Sequence, residues 1–209
     1  RTIVGVNKFQ MEEKPVEGLL KVDASVGEKQ KAKVEAMPDN VAGQTFNLTA
    51  GVDMGSKFVG TEKGDIYYSL DALIPSTLAQ KETWTTGDTL DGKEGNDILN
   101  IQTGIAMGSP VLNLTSIETV NVNSTTTVAL DGSAWDGTNT LNVTKATAAN
   151  LTAAATTDVN VSGITDAAAV VEVTGGKTVT VNHKMDTAGD KIDVNGAVNV
   201  NVTATDVID

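Results

Sequence analysis

An apolar–polar–apolar triplet recurs through the second half of the chain and limits what it can fold into. It reads Leu112-Asn-Leu114, Val120-Asn-Val122, Leu141-Asn-Val143, Val159-Asn-Val161, Val179-Thr-Val181 and Val198-Asn-Val200. From Val120 to Val198 the successive intervals are 21, 18, 20 and 19 residues, and weaker apolar positions fall between them at Leu130, Leu151, Val171 and Ile192. Alternation of this kind puts the apolar side chains on one face of a strand and Asn or Thr on the other. A near-constant period holding two short strands specifies coils stacked one on the next. The expected fold is all-β, a parallel β-solenoid of the β-roll or β-helix type, with Val and Leu inside and Asn and Thr outside or in ladders. Gly132, Gly137, Gly163, Gly175, Gly176, Gly189 and Gly196 mark the corners. Short, regularly spaced strands also fit a β-sandwich, which is the alternative.

Composition agrees with thin, repetitive β-structure. Aromatic residues make up 3% of the 209 residues, too few to fill a wide globular core, and there is no cysteine. The 27 acidic residues outnumber the 15 basic ones, for a formal charge of −12. Such a balance disfavours nucleic acid and anionic membranes and favours cations. No apolar run is long enough for a membrane-spanning helix. The chain begins at Arg1 and carries no signal-peptide pattern, which reads as a fragment or a processed product.

Three textures divide the sequence. Residues 1–38 are lysine-rich; Thr2–Val6 reads as a short strand and Glu28–Met37 as an exposed helix stopped by Pro38. Within this part, RTIVGVNKFQMEEKPVEGLLKVDASVGEKQ resembles the segment that follows the acyl-CoA-binding barrel in the large chain of methylmalonyl-CoA mutase. The likeness covers residues 1–36, and the cobalamin-domain signature Asp-x-His-x-x-Gly is absent downstream, so mutase activity is not implied. Residues 39–105 form a second region, in which Thr45–Thr49 alternates like a strand and residues 68–85 read as an insertion, a short helix or irregular segment over one edge. Residues 106–209 are the Thr/Asn/Val-rich repeats.

The second region holds the chemistry. In GDTLDGKEGNDILN, residues 87–100, Asp88 and Asp97 stand nine residues apart, as do Leu90 and Leu99. This is the spacing of the nonapeptide Gly-Gly-x-Gly-x-Asp-x-U-x, in which glycines turn the backbone tightly, the aspartate supplies a carboxylate and the large apolar U residue packs inward. Gly92–Asn100 is the best copy, with Gly92, Gly95 and Asp97 in place and Lys93 where the second glycine belongs. Thr86–Leu90 keeps Asp88, and an earlier row, Lys63–Tyr67, keeps Asp65 with an aromatic at the apolar position. Calcium takes six to eight oxygen ligands, so adjoining turns must share an ion. The stretch therefore reads as two stacked coils around a calcium position.

FNLTAGVD, FVGTEKGDIYYS and GDTLDGKEGNDILN, followed by Thr/Asn/Val-rich strands, resemble the calcium-binding repeat region of Gram-negative surface-layer proteins within the RTX group, over residues 41–209. The resemblance implies calcium as cofactor, with Asp65, Asp88, Asp97, Gly92 and Gly95 matching the repeat positions and Asp91 as an added ligand. It further implies type I secretion, folding outside the cell, and a structural role on the bacterial surface. The partners so implied are other copies in a lattice and cell-surface polysaccharide. A secreted adhesin or binding module is the alternative role.

Other features carry less. Asp131, Asp136, Asp186, Asp190 and Asp193 fall outside the nonapeptide register and read as solvated turns. His183, beside Lys184, reads as exposed, while Trp84 and Trp135 read as covering the sides or ends of the solenoid. Most of the seven Asn-x-Ser/Thr sequons lie within the strand triplets and follow from composition. There is no Gly-x-Ser-x-Gly elbow, His-Glu-x-x-His or phosphate loop, and one histidine with no cysteine leaves few nucleophile–base pairs, so no enzyme is expected. A polysaccharide-active β-helix using a carboxylate pair is the remaining enzymatic reading.

Overall fold

The computed structural model describes residues 43–166, 168–185 and 188–206. The strand and helix expected in residues 1–38 lie outside them. The described chain is a parallel β-solenoid. Its principal wall is an eight-stranded sheet of β1 (Thr45–Asn47), β2 (Ile66–Leu70), β6 (Ile98–Thr103), β8 (Thr119–Ser124), β10 (Thr140–Lys145), β12 (Asp158–Val161), β14 (Thr178–Met185) and β16 (Asn199–Asp206), in that spatial order. Every adjacent pair is parallel, which excludes the sandwich. A second wall is built by β9 (Val128–Gly132), β11 (Ala149–Ala153), β13 (Val170–Gly175) and β15 (Lys191–Asn195). In the earlier coils the opposing side is a shorter pair, β5 (Thr89–Asp91) and β7 (Asn113–Thr115), extended by bridges from Val59 to Asp91 and from Thr115 to Asp136.

The register follows from burial. Tyr67, Leu99, Val120, Leu141, Val159 and Val179 form one inward column, and Ile101, Val122, Val143, Val161 and Val181 a second. All of these are buried, so a one-residue slip of any strand would place its apolar pair in water. Between the two columns an outward row carries Asn100, Asn121, Asn142 and Asn160. The amides of Asn121, Asn142 and Asn160 each donate to the Asn of the coil before, at 3.0, 2.8 and 2.9 Å. The triplet thus supplies core on both flanks and a hydrogen-bonded ladder in the middle.

Four expectations change. Val200-Asn-Val202, not Val198-Asn-Val200, continues the columns, since Val179 pairs with Val200 and Val181 with Val202. The strand alternates throughout, so a shift of two keeps the same faces and the sequence alone cannot choose the frame. Leu112-Asn-Leu114 belongs to the side opposite the principal wall, where Leu114 aligns with Leu90. The insertion is neither helical nor irregular: β3 (Ala72–Ile74) and β4 (Ala79–Lys81) form an antiparallel hairpin. The two tryptophans do not cover the outside; both are buried and meet edge to face at 6.2 Å, filling space that Val and Leu cannot.

Leu141→Ala empties a fully buried site between two coils and should cost about 2–5 kcal/mol in denaturant unfolding. Val200→Ala, on the outermost strand with its side chain 49% exposed, should cost about 1 kcal/mol or less.

Candidate metal centre in the glycine turns

Asp65, Asp88 and Asp97 of the second region, and Glu118 beyond it, stand immediately before strands, and this position decides their chemistry. Asp65, Asp97 and Glu118 precede β2, β6 and β8 and form one column along the principal wall. Each carboxylate reaches back to the coil before it. Asp65 accepts the Gln44 N–H, Asp97 Oδ1 accepts the Asp65 N–H at 2.6 Å, and Glu118 Oε2 accepts the Asp97 N–H at 2.7 Å. Asp53 and Asp88 form a second column, joined by the Asp53 N–H donating to Asp88 Oδ1 at 2.8 Å. Asp53, Asp65, Asp88 and Asp97 are all buried. Their burial in a chain of such negative charge is tolerable because the backbone groups they accept from would otherwise lack partners.

Threonine completes most of these caps. The Thr61 N–H and hydroxyl both donate to Asp65, at 2.5 Å to Oδ2 and 3.2 Å to either oxygen. Thr49 treats Asp53 in the same way at 2.6 and 2.7 Å, and Thr85 treats Asp88 at 2.8 Å with both groups. Sequence reading did not single out Asp53, Glu118 or these threonines. A signal was present: Thr49 and Thr61 each stand four residues before an aspartate.

Asp97 has no such threonine. Lys93 occupies the equivalent position, and its N–H turns instead to Asp91 Oδ1 at 3.1 Å, while its ammonium lies 2.5 Å from Asp91 Oδ2. Asp97 Oδ2 is left buried with no hydrogen-bond partner. A Cβ at Gly92 would collide with this carboxylate and with the Ser116 carbonyl, so the Gly92 backbone fits against two acceptor oxygens, neither of which it can serve as a donor. Lys93 has φ +73°, the left-handed conformation that costs glycine nothing, which is why the nonapeptide carries glycine there. Gly95, at φ +121°, packs against the Lys63–Gly64 backbone. Above the turn lies an open groove of about 600 Å³ lined by Glu62, Asp91, Glu94 and Ser116 among others.

Electrostatics single out the same residue. Burial, with the neighbouring charges of Glu118, Asp65 and Asp91, raises the Asp97 carboxyl from its ordinary 3.8 to about 6 against the lowering effect of the Asp65 N–H. Burial also raises Asp88, although three hydrogen bonds from Asp53 and Thr85 oppose it. The Tyr67 hydroxyl, donating to the Asp91 carbonyl at 3.1 Å, is raised first by burial and then by Asp65, Asp97 and Asp91.

Of the six sequence-predicted residues, the structure brings Asp65, Asp91, Gly92, Gly95 and Asp97 to one edge of the coil and places Asp88 in the other column. β5 and β6 lie on opposing sides of the same coil, so residues 87–100 are consecutive flanks of one turn and not two stacked coils. The nine-residue spacing measures half a circuit. Among the described residues, no three His, Asp or Glu side chains converge as a metal-holding group.

Two readings outside this region are corrected. His183 is buried, with Nε2 3.8 Å from a buried oxygen of Asp190. Asp190 is no solvated turn, because its carboxylate accepts the Ala169 N–H at 2.9 Å. Inward parity of β14 places His183 one step beyond Val181, a position that alternation predicts and the residue's polarity disguises. Asp131 and Asp136 are exposed, and Asp186 lies outside the described residues.

Neither a scan against protein-family models nor a search of curated proteins found a match for the chain.

A raised acid holds its proton more tightly when folded, so its contribution to stability falls as pH rises from the unfolded value of 3.8 to the folded value of about 6. In chelator, the melting temperature should therefore rise as pH is lowered from 7 to 5. Asp97→Asn keeps the acceptor for the Asp65 N–H and removes the buried charge. This variant should melt higher than the parent at pH 7 in chelator and lose most of that pH dependence.

Proposed function

We propose that the chain is a calcium-stabilised structural module of a bacterial cell surface, built to assemble laterally into a surface layer. The observation that carries this reading is the buried, unpartnered Asp97 Oδ2 beside the Ser116 carbonyl in a glycine turn. A hard cation is the natural partner for a buried carboxylate oxygen that no N–H or O–H reaches, and the Ser116 carbonyl lies on the same side of Gly92. The remaining ligands would come from Asp91, other backbone carbonyls and water, since acid side chains alone do not complete a shell. Asp65 and Asp88, whose carboxylates already hold N–H groups, are placed as supports of the coils on either side and as contributors of any remaining lone pair.

On this reading, ion binding and folding are one event. Calcium offsets the burial cost of Asp97 and the repulsion of its acidic neighbours, so its binding free energy appears as stability. A module of this kind stays loose in a calcium-poor compartment and sets in a calcium-rich exterior. The long hydrogen-bonded wall and the low aromatic content suit a load-spreading scaffold better than a catalyst. The alternative role, a secreted adhesin of the same group, draws on the same calcium turn and differs in what the outer face meets.

Thermal unfolding in millimolar calcium and in chelator tests the ion, and the expected result is a higher midpoint with calcium. Equal midpoints would sink it. Asp97→Asn should abolish the calcium response while leaving a folded protein. Lys93→Gly preserves the left-handed turn and removes the competing ammonium, so it should tighten the calcium midpoint by up to about fivefold, the worth of one exposed ion pair. Ordered sheets seen by electron microscopy in calcium would support the lattice role, and dispersed particles under all conditions would favour the adhesin.

A further inference from the structure

Along the principal wall, one coil breaks the period. The neighbouring pairings Thr45 to Ile66 and Ile98 to Thr119 each advance 21 residues, whereas Ile66 pairs with Ile98, an advance of 32. The added length is the β3–β4 hairpin, which leaves Leu73 and Leu78 58% and 76% exposed, with Leu78 held at φ +52°. An insertion that puts two leucines in water adds nothing to the core.

What the hairpin does create is a cleft of about 420 Å³ against the outer face of the wall. Leu70, Gln102 and Asn123 form its floor, in register on three consecutive coils. Asp71 and Gln80 come from the hairpin side, and Thr125 closes one end. Asp71 Oδ2 accepts the Gly104 N–H at 2.7 Å, which ties the base of the hairpin to the wall. The volume lies within the range of small-ligand sites.

The amides of this cleft differ from those of the adjoining ladder. Asn100, Asn121, Asn142 and Asn160 hydrogen-bond one another, whereas the side chains of Gln80, Gln102 and Asn123 make no hydrogen bond within the described residues. Each free amide presents a donor and an acceptor side by side, the complement of neighbouring hydroxyls. Leu70, 47% exposed, gives an apolar surface for C–H groups. No lysine or arginine lines the cleft and Asp71 makes it negative, which selects against anionic ligands.

We propose that this cleft binds a neutral, hydroxyl-rich ligand, one or two sugar residues of a neutral glycan, with Gln80, Gln102 and Asn123 reading the hydroxyls. The site goes beyond the structural role above and does not depend on an ion at Asp97.

The test is calorimetric titration of the full chain, in calcium, with neutral gluco-, galacto- and manno-tetraoses and with an anionic hyaluronan tetrasaccharide. Binding of a neutral probe is expected, weakened tenfold or more by Gln102→Ala and by Asn123→Ala at an unchanged melting temperature. Asn142→Ala, in the ladder, should leave it unaltered. Asn123→Asp, which keeps the size but loses the donor, should also weaken it. The proposal is overturned if no neutral probe binds, if the hyaluronan probe binds more tightly, or if the cleft substitutions leave affinity unchanged. A missing calcium shift in melting temperature would leave each of these outcomes intact.

Discussion

The solenoid depends on parallel, in-register stacking, in which strand backbone groups are answered from the neighbouring coils. Parallel pairing repeats a residue's environment in every coil, so a side chain that can serve its neighbour's copy of itself forms a column. The apolar columns bury the core, and the Asn column from Asn100 to Asn160 ties the outer face with side-chain hydrogen bonds. At the entrance to the principal wall the same logic uses charge: Asp65, Asp97 and Glu118 each hold the backbone N–H of the preceding coil. Narrow coils have no thick interior in which an error could be absorbed, so the edges must be satisfied residue by residue.

The fold was largely legible because stacking writes itself into sequence as a period. Burial alternates every second residue along a strand, and coil length repeats between strands. Together they identify Val120, Leu141, Val159 and Val179 as one column before any coordinates are consulted. The same simplicity explains the errors. A strand that alternates from Val198 to Val202 contains no mark of its register, and only pairing with β14 fixes it. The hairpin was illegible for a different reason: Ala72–Ile74 and Ala79–Lys81 are each three residues, too short for a period to declare itself. At inward positions parity is a better guide than polarity, as the buried His183 on β14 shows.

The acidic turns were legible in kind but not in arrangement. Nine-residue spacing links Asp88 with Asp97 and Leu90 with Leu99, but β5 and β6 belong to different sheets, so those pairs do not stack. What identifies stacked partners is the pairing of strands, which a linear motif cannot express. Hence Asp65 is the true neighbour of Asp97, at a separation of 32 residues lengthened by the hairpin.

The contrast between Asp65 and Asp97 shows how one framework can leave one buried carboxylate satisfied and another with an unpartnered oxygen. Both precede a strand of the principal wall, both are buried, and both face a glycine five residues earlier, Gly60 or Gly92. They differ at the next residue. Thr61 supplies an N–H and a hydroxyl to Asp65, and nothing further is required of that carboxylate. Lys93 adopts the left-handed conformation, and its N–H donates to Asp91, leaving Asp97 without the donors that Thr61 gives Asp65. At this point a lysine stands where Asp65 has a threonine, so Asp97 Oδ2 keeps no donor and the lysine ammonium pairs with Asp91 instead.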